Sequence, residues 1–181
     1  MNKLKVNNTI IEILVNEIRN LKYDAIVIPS NSRLLPSGEL RCEILRKAGA
    51  KVQQECNRII NKLGVIGVGT AVMTSGGNLK SKQIIHTTGP KIGQGKEGKK
   101  IMLCTWNSLT LADNAGLKSI VFNPISIENV GFNAKICAEV MIPTIKKYIL
   151  EKNKNLKHVI IALSGLPEYK DFEKVLDNNS P

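Results

Sequence analysis

Aromatic residues are scarce: 4% of 181 residues, with one Trp, three Tyr and three Phe. A chain so poor in rings offers little on which exposed bases can stack, which argues against single-stranded nucleic acid as its main ligand. The four cysteines, Cys42, Cys56, Cys104 and Cys137, are scattered without a C-x-x-C pair. That spacing speaks against a disulfide framework or a zinc site and leaves them as small apolar residues of helices. There are two histidines, and neither has a sequence neighbour that would make it a metal ligand or a nucleophile's base. No metal and no cofactor are expected. No apolar run approaches the roughly 18 residues of a membrane span, and the first ten residues lack the apolar core of a secretory leader. The expectation is a chain that stays out of the membrane and works in a reducing cytoplasm.

Apolar residues make up 43% of the chain, and its length suits one globular domain, residues 1–181. The net charge is +11, which raises RNA or another polyanion as a partner. Lysines gather over residues 91–100 and 146–157, beside helix ends and loops, and solubility explains such patches as simply as a binding groove does.

Short apolar and β-branched runs alternate with stretches of helical period. Strands are expected at Thr9–Val15, Ala25–Ile28, Thr70–Thr74 (an edge strand), Gln83–Thr87, Ser119–Phe122 and Val159–Leu163. Helices are expected at Leu40–Ala48, Ala50–Leu63, Lys100–Ala115, Ala134–Leu150 and from Pro167 to Leu176. Pro143 should kink the fourth of these or remove one of its hydrogen bonds. Strand–helix alternation with strands too apolar for a wet face predicts a three-layer α/β/α domain. In such a domain, a buried strand leading through a small-residue loop into a helix is a natural anion site. Residues 23–49 have that form, with Pro36-Ser37-Gly38 just before the second element's helix.

Several blocks resemble the macrodomain family. YDAIVIPSN is similar to its signature V-D-A-I-V-N-A-A-N. GTAVMTSGGNLKSKQIIHTTGP resembles the block that runs from G-x-A to I-H-x-x-G-P. SLTLADNAGLKSIVFNPIS and LPEYKDFEKVL resemble the following helix–strand block and the C-terminal helix. The resemblance covers about residues 10–176 and implies a mixed central sheet of six to seven strands. It also implies a cleft for ADP-ribose at the strand ends.

The resemblance places the distal-ribose asparagine on Asn31, which in active members also serves catalysis. The acidic residue that accepts the adenine amine falls on Glu17, beside Ile18. The first phosphate loop falls on Pro36, Ser37, Gly38, Glu39, Leu40 and Arg41. One glycine stands where a run is usual, and Pro36 lacks an N–H. Arg41 takes the place of the aspartate that orients water. A guanidinium cannot act as a base, although it can pair with phosphate; Glu39 is the nearest carboxylate. The second phosphate loop falls on Ser126, Ile127, Glu128, Asn129, Val130, Gly131 and Phe132. A Glu128 carboxylate about 4 Å from a phosphate would cost roughly 1 kcal/mol in water and about 4 at an effective dielectric near 20. Ser164 replaces an aromatic that stacks on adenine, and His86 matches a family histidine better read as structural.

Three functions follow from the resemblance. The first is binding of ADP-ribose, a derivative or an ADP-ribosylated protein, without efficient hydrolysis. The second is an enzyme: an ADP-ribosyl-carboxylate hydrolase, an O-acetyl-ADP-ribose deacetylase or an ADP-ribose-1″-phosphate phosphatase. The third is a divergent member that binds RNA or protein through its basic surface.

Overall fold

The computed structural model describes residues 2–125 and 133–180. Seven strands, β1 (Lys3–Val6), β2 (Thr9–Val15), β3 (Ala25–Pro29), β4 (Ala71–Ser75), β5 (Gln83–Thr87), β6 (Ser119–Phe122) and β7 (His158–Leu163), form one sheet. Their order is β1-β2-β7-β6-β3-β5-β4. The inner five run parallel, and β1 and β4 pair antiparallel at the two edges. The helices are α1 (Glu39–Ala48), α2 (Ala50–Leu63), α3 (Glu97–Asn114), α4 (Ala134–Glu151) and α5 (Leu166–Asn178).

Alternation along the strands builds both outer layers. Ile26, Ile28, Ile84, Val121 and Ile160 face α1 and α2, packing on Ile44, Leu45, Val52 and Cys56. Val27, Ile85, Ile120, Phe122 and Ile161 face the other way, onto Ile101, Leu109, Met141 and Phe172 of α3, α4 and α5. Both faces of the parallel strands are thus covered, as their nearly continuous apolar runs require. Cys56, Cys104 and Cys137 are buried on these faces, whereas Cys42 is exposed.

Two differences from the sequence reading have local causes, and the proline of the fourth helix behaves as expected. β1 went unpredicted; its four residues, KLKV, alternate exposed and buried, a pattern too brief to stand out from the lysine-rich start. Helix α3 begins at Glu97 rather than Lys100, after Lys96 in the left-handed region (φ 56°), with the Gly95 amide donating to Glu97 Oε1. Helix α4 continues through Pro143. Pro143 and Glu139 both lie on its exposed face, so the carbonyl left without a donor is on the solvated side. Asn133 caps this helix by accepting from the Lys135 amide at 2.8 Å.

The parallel strands bring their C-terminal ends to one rim, where ligands of open α/β sheets bind. The opposite rim is tied by Asp24. Its carboxylate accepts from the Lys118 and Ser119 amides (2.8 and 3.1 Å) and from Lys82 (2.8 Å). Burial pushes the Asp24 carboxyl up, but these donors outweigh it and hold it below its usual range. The aspartate in the YDAIVIPSN string is therefore a strand clamp far from the rim. Among the described residues, no helix is long and apolar enough to cross a membrane.

Candidate functional site

Two cavities open at this rim, on either side of the loop between β3 and α1. The first, about 680 Å³, lies between the ends of β2, β6 and β7 and the start of α1. Glu17, Ile18, Arg19, Glu39, Glu43, Asn123 and Ser164 line it. The second, about 660 Å³, contains Asn31 and Ser37 together with Thr88 and Lys91 from the loop after β5.

Glu17 and Ile18 line the first cavity, but the Glu17 carboxylate has company. Arg19 Nε donates to its Oε2 at 3.0 Å, Arg19 Nη2 to its Oε1 at 2.6 Å, and Asn20 Nδ2 to Oε2 at 2.9 Å. These donors, Arg19 first, hold the carboxyl below its usual range. Arg19 Nη1 also bonds Glu43 on α1, so one guanidinium bridges the β2–β3 connection to the helix. Oε1 accepts one bond and keeps a second lone pair for a ligand. Ser164 offers no ring; its amide and hydroxyl both donate to Glu168 Oε2, at 3.1 and 2.8 Å, which ties the end of β7 to the first turn of α5.

Asn31 is more fully engaged. Its Oδ1 accepts from the Arg33 and Leu35 amides, both at 3.1 Å, and its Nδ2 donates to Leu35 O (2.8 Å) and Ser37 Oγ (2.9 Å). That uses two acceptor and two donor positions, the whole capacity of the amide. Asn31 therefore folds its own loop back on itself, and a sugar hydroxyl would have to displace one of these bonds. Gly38, the one glycine of this loop, has φ 66° at the residue before α1, where a side chain would strain the backbone.

Arg41 does not present its charge to either cavity; the expectation of phosphate pairing is corrected by its placement. The residue is 1% exposed. Its Nη2 donates to Leu34 O at 2.7 Å and its Nε to Leu35 O at 2.9 Å. Leu34 is itself left-handed, with φ 57°, an unfavourable state for a leucine, so Arg41 holds a strained turn from below. Nη1 lies 2.9 Å from His86 Nδ1. A guanidinium only donates, so Nδ1 accepts and the ring proton sits on Nε2, directed at Thr74 Oγ1 at 2.9 Å. Burial, then the Arg41 charge, lower the His86 pKa to about 3, so the ring is neutral. Burial likewise raises the nearby Cys56 thiol, against the pull of Arg41. The sequence reading of His86 as a structural residue fits this arrangement.

Ser126, Glu128, Asn129, Val130, Gly131 and Phe132, assigned to the second phosphate loop, lie outside the described residues. Two residues absent from the sequence assignment stand out instead. Asn123, at the end of β6 in the first cavity, is 6% exposed, and its Nδ2 has no hydrogen-bond partner among the described residues. Thr88, in the second cavity, is 7% exposed, and its Oγ1 has none among them either. A buried polar group left unpaired costs about 1–3 kcal/mol, so each is a natural place for a ligand or water. In the sequence both look like loop residues; only the burial of their positions makes them conspicuous. Among the described residues, no cluster of His, Cys, Asp or Glu could hold a metal.

The Macro domain family matches residues 27–141. A Macro domain-containing protein of Listeria monocytogenes is 34% identical over 171 residues, which cover 93% of this chain and 97% of that protein. An Escherichia fergusonii protein named O-acetyl-ADP-ribose deacetylase is 35% identical over 141 residues, 77% of this chain and 80% of its own. A macrodomain mutant of Oceanobacillus iheyensis, solved with ADPR, superposes with a TM-score of 0.92 at 28% identity, covering 97% of this chain and 96% of that one. A match over more than half of the residues, on a fold shared from end to end, places the chain in one family: it belongs to the Macro domain family.

Proposed function

We propose that this chain binds ADP-ribose or an ADP-ribose derivative in the Glu17 cavity and does not turn it over efficiently. Adenosine enters between β2 and β7. The free lone pair of Glu17 Oε1 accepts the adenine amine, and Asn123 Nδ2 donates to an acceptor of the base or ribose. The Arg19 fork fixes the carboxylate in advance, which lowers the ordering cost of recognition. Binding of ADPR by the Oceanobacillus iheyensis macrodomain supports the ligand class.

The observation that carries the absence of turnover is the burial of Arg41. The resemblance puts a water-orienting aspartate there. A guanidinium that is always protonated, with its bonds directed at Leu34, Leu35 and His86, removes no proton from water. His86, neutral and sealed behind Arg41, does not reach the cavity to replace it.

One observation favours a second reading, hydrolysis or deacetylation. Glu39 lines the cavity in the first turn of α1, and a relative bears the name of a deacetylase. The two readings separate in one assay, with a protein ADP-ribosylated on carboxylates as substrate. The binding reading expects no release above the buffer rate. Release that disappears in Glu39→Gln would overturn it.

A further inference from the structure

The rim that Asp24 ties, opposite the two cavities, is edged with lysine. Strands β7, β6 and β5 are each preceded directly by an exposed lysine: Lys157, Lys118 and Lys82. Strand β3 stands between β6 and β5 in the sheet, and exposed Lys22 lies three residues before its start. These four strands are parallel neighbours, so their lysines form one row. With strands about 4.8 Å apart, the row is about 14 Å long. Lys80, between β4 and β5, and Lys154, after α4, are exposed beside it.

The backbone under the row is fixed. The Lys157 amide donates to Lys118 O at 2.8 Å, and Lys118 is itself held by Asp24. Asp113 accepts from the Asn155 and Lys154 amides at 2.7 and 3.1 Å. The nearby carboxylates are thereby turned inward. Asp113 is 3% exposed, and Glu55 accepts from the amide and hydroxyl of Ser75, both at 2.7 Å. Among the described residues, Lys82 is the one of the six lysines held in an ion pair, with Asp24 at 2.8 Å. Exposed carboxylates at this end sit on the last turns of helices: Glu151, which faces Lys147 at 3.9 Å, and Asp177. The C-terminal carbonyls of α1, α3, α4 and α5 add about half a negative charge each, less than the six ammonium groups supply.

Residues 22–24, 80–82, 117–119 and 154–158, which carry the row, hold no exposed large apolar side chain. A protein interface has an apolar centre depleted in lysine, and this surface has neither property. Tyr23 is half-buried against His158, ring centroids 5.9 Å apart, and gives single-stranded bases little to stack on. A duplex, in contrast, presents phosphates at about 3.4 Å of axis per strand, so roughly four span the row. We propose that this rim binds the phosphate backbone of a nucleic-acid duplex without reading its bases, through Lys22, Lys82, Lys118 and Lys157. The strands, about 18 Å long, separate this surface from the cavities, and the proposal does not rest on ADP-ribose binding.

The test is fluorescence anisotropy of a labelled 20-base-pair DNA duplex titrated with the whole chain at several salt concentrations. Saturable binding is expected, with Kd of roughly 10⁻⁴–10⁻⁶ M at physiological salt and a log–log salt slope of about −3.6 for four phosphates. Lys118→Gln with Lys157→Gln should weaken binding roughly 60-fold at 0.1 M salt and reduce the slope by about 2. Lys96→Gln with Lys99→Gln removes the same charge from the start of α3 at the cavity rim and should change affinity less than about threefold if the row, rather than net charge, is read. The only described side-chain bond lost with the first pair is from Lys118 to Asn155 at 3.2 Å, so its melting temperature should match the parent's. Glu17→Ala should leave duplex binding unchanged, which separates this surface from the function proposed for the first cavity. Absence of saturation at 50 mM salt, equal losses in the two lysine pairs, loss in Glu17→Ala, or tighter binding of a single strand or of polyglutamate would each overturn the assignment.

Discussion

The two cavities are nearly equal in volume and opposite in charge. Among the described residues, the first has three carboxylates, Glu17, Glu39 and Glu43, and one guanidinium; the second has no carboxylate and one lysine. In both, the residue that the family resemblance points to is already engaged within the protein. Glu17 is forked by Arg19, and Asn31 is closed on its own loop. The unpartnered donors are their neighbours, Asn123 and Thr88. A residue of a family motif can therefore set the shape of a site while a less conspicuous one is left to meet the ligand.

Between the cavities stands the loop that Arg41 and Asn31 hold, and the comparison breaks if that wall is not what they maintain. Acid should have the largest effect. His86 has an ordinary pKa of 6.5 and is lowered to about 3 in the folded chain. The unfolded chain then binds more protons between these values, so stability falls as pH drops through 6.5 and continues to fall towards 3. The full shift corresponds to roughly 5 kcal/mol at the acid end, a large part of an ordinary domain's stability. Asp24 and Glu55, whose carboxyls are held low in the fold, add to this below about pH 4.5. Urea midpoints from pH 7 to 5 in a His158→Gln background, which removes the chain's other histidine and its contact with Glu12, therefore isolate His86, and a flat profile there would place it outside the buried network.

Next in size is Arg41→Met. It strands the carbonyls of Leu34 and Leu35 and the Nδ1 of His86, at about 1–3 kcal/mol for each acceptor that stays buried. Some of this is offset by removing a buried charge, so a net loss of about 3 kcal/mol is expected from urea unfolding. A more stable variant would mean that the guanidinium is tolerated rather than needed. Asn31→Ala should cost about 1–2 kcal/mol, as for a lost cap, and weaken ADP-ribose binding at the same time. If stability is unchanged and ADP-ribose binding alone disappears, Asn31 is a direct ribose contact and the wall has another support.

Most of the fold was legible in the sequence because parallel strands buried on both faces announce themselves as short apolar runs. Ala25–Pro29, Gln83–Thr87 and His158–Leu163 fall within a residue of where the runs put them. The edge strand β1 was not legible, since four alternating residues in a lysine-rich segment carry little signal. For the site, sequence spacing identified which loop reaches the rim but not which atoms remain available there. Whether Glu17 has an Arg19 fork, whether Arg41 points down to His86, and whether Thr88 lacks a partner all depend on side chains meeting across distant segments. Arg41 and His86 are separated by 45 positions, and their contact turns a supposed phosphate ligand into an internal brace.

The central claim, that the Glu17 cavity accepts ADP-ribose, is tested most directly by calorimetric titration of the chain with ADP-ribose at neutral pH. The account predicts saturable one-to-one binding that Glu17→Ala weakens by about 1 kcal/mol, the scale of one net hydrogen bond. No heat at millimolar ADP-ribose, or binding that Glu17→Ala leaves untouched, would contradict it.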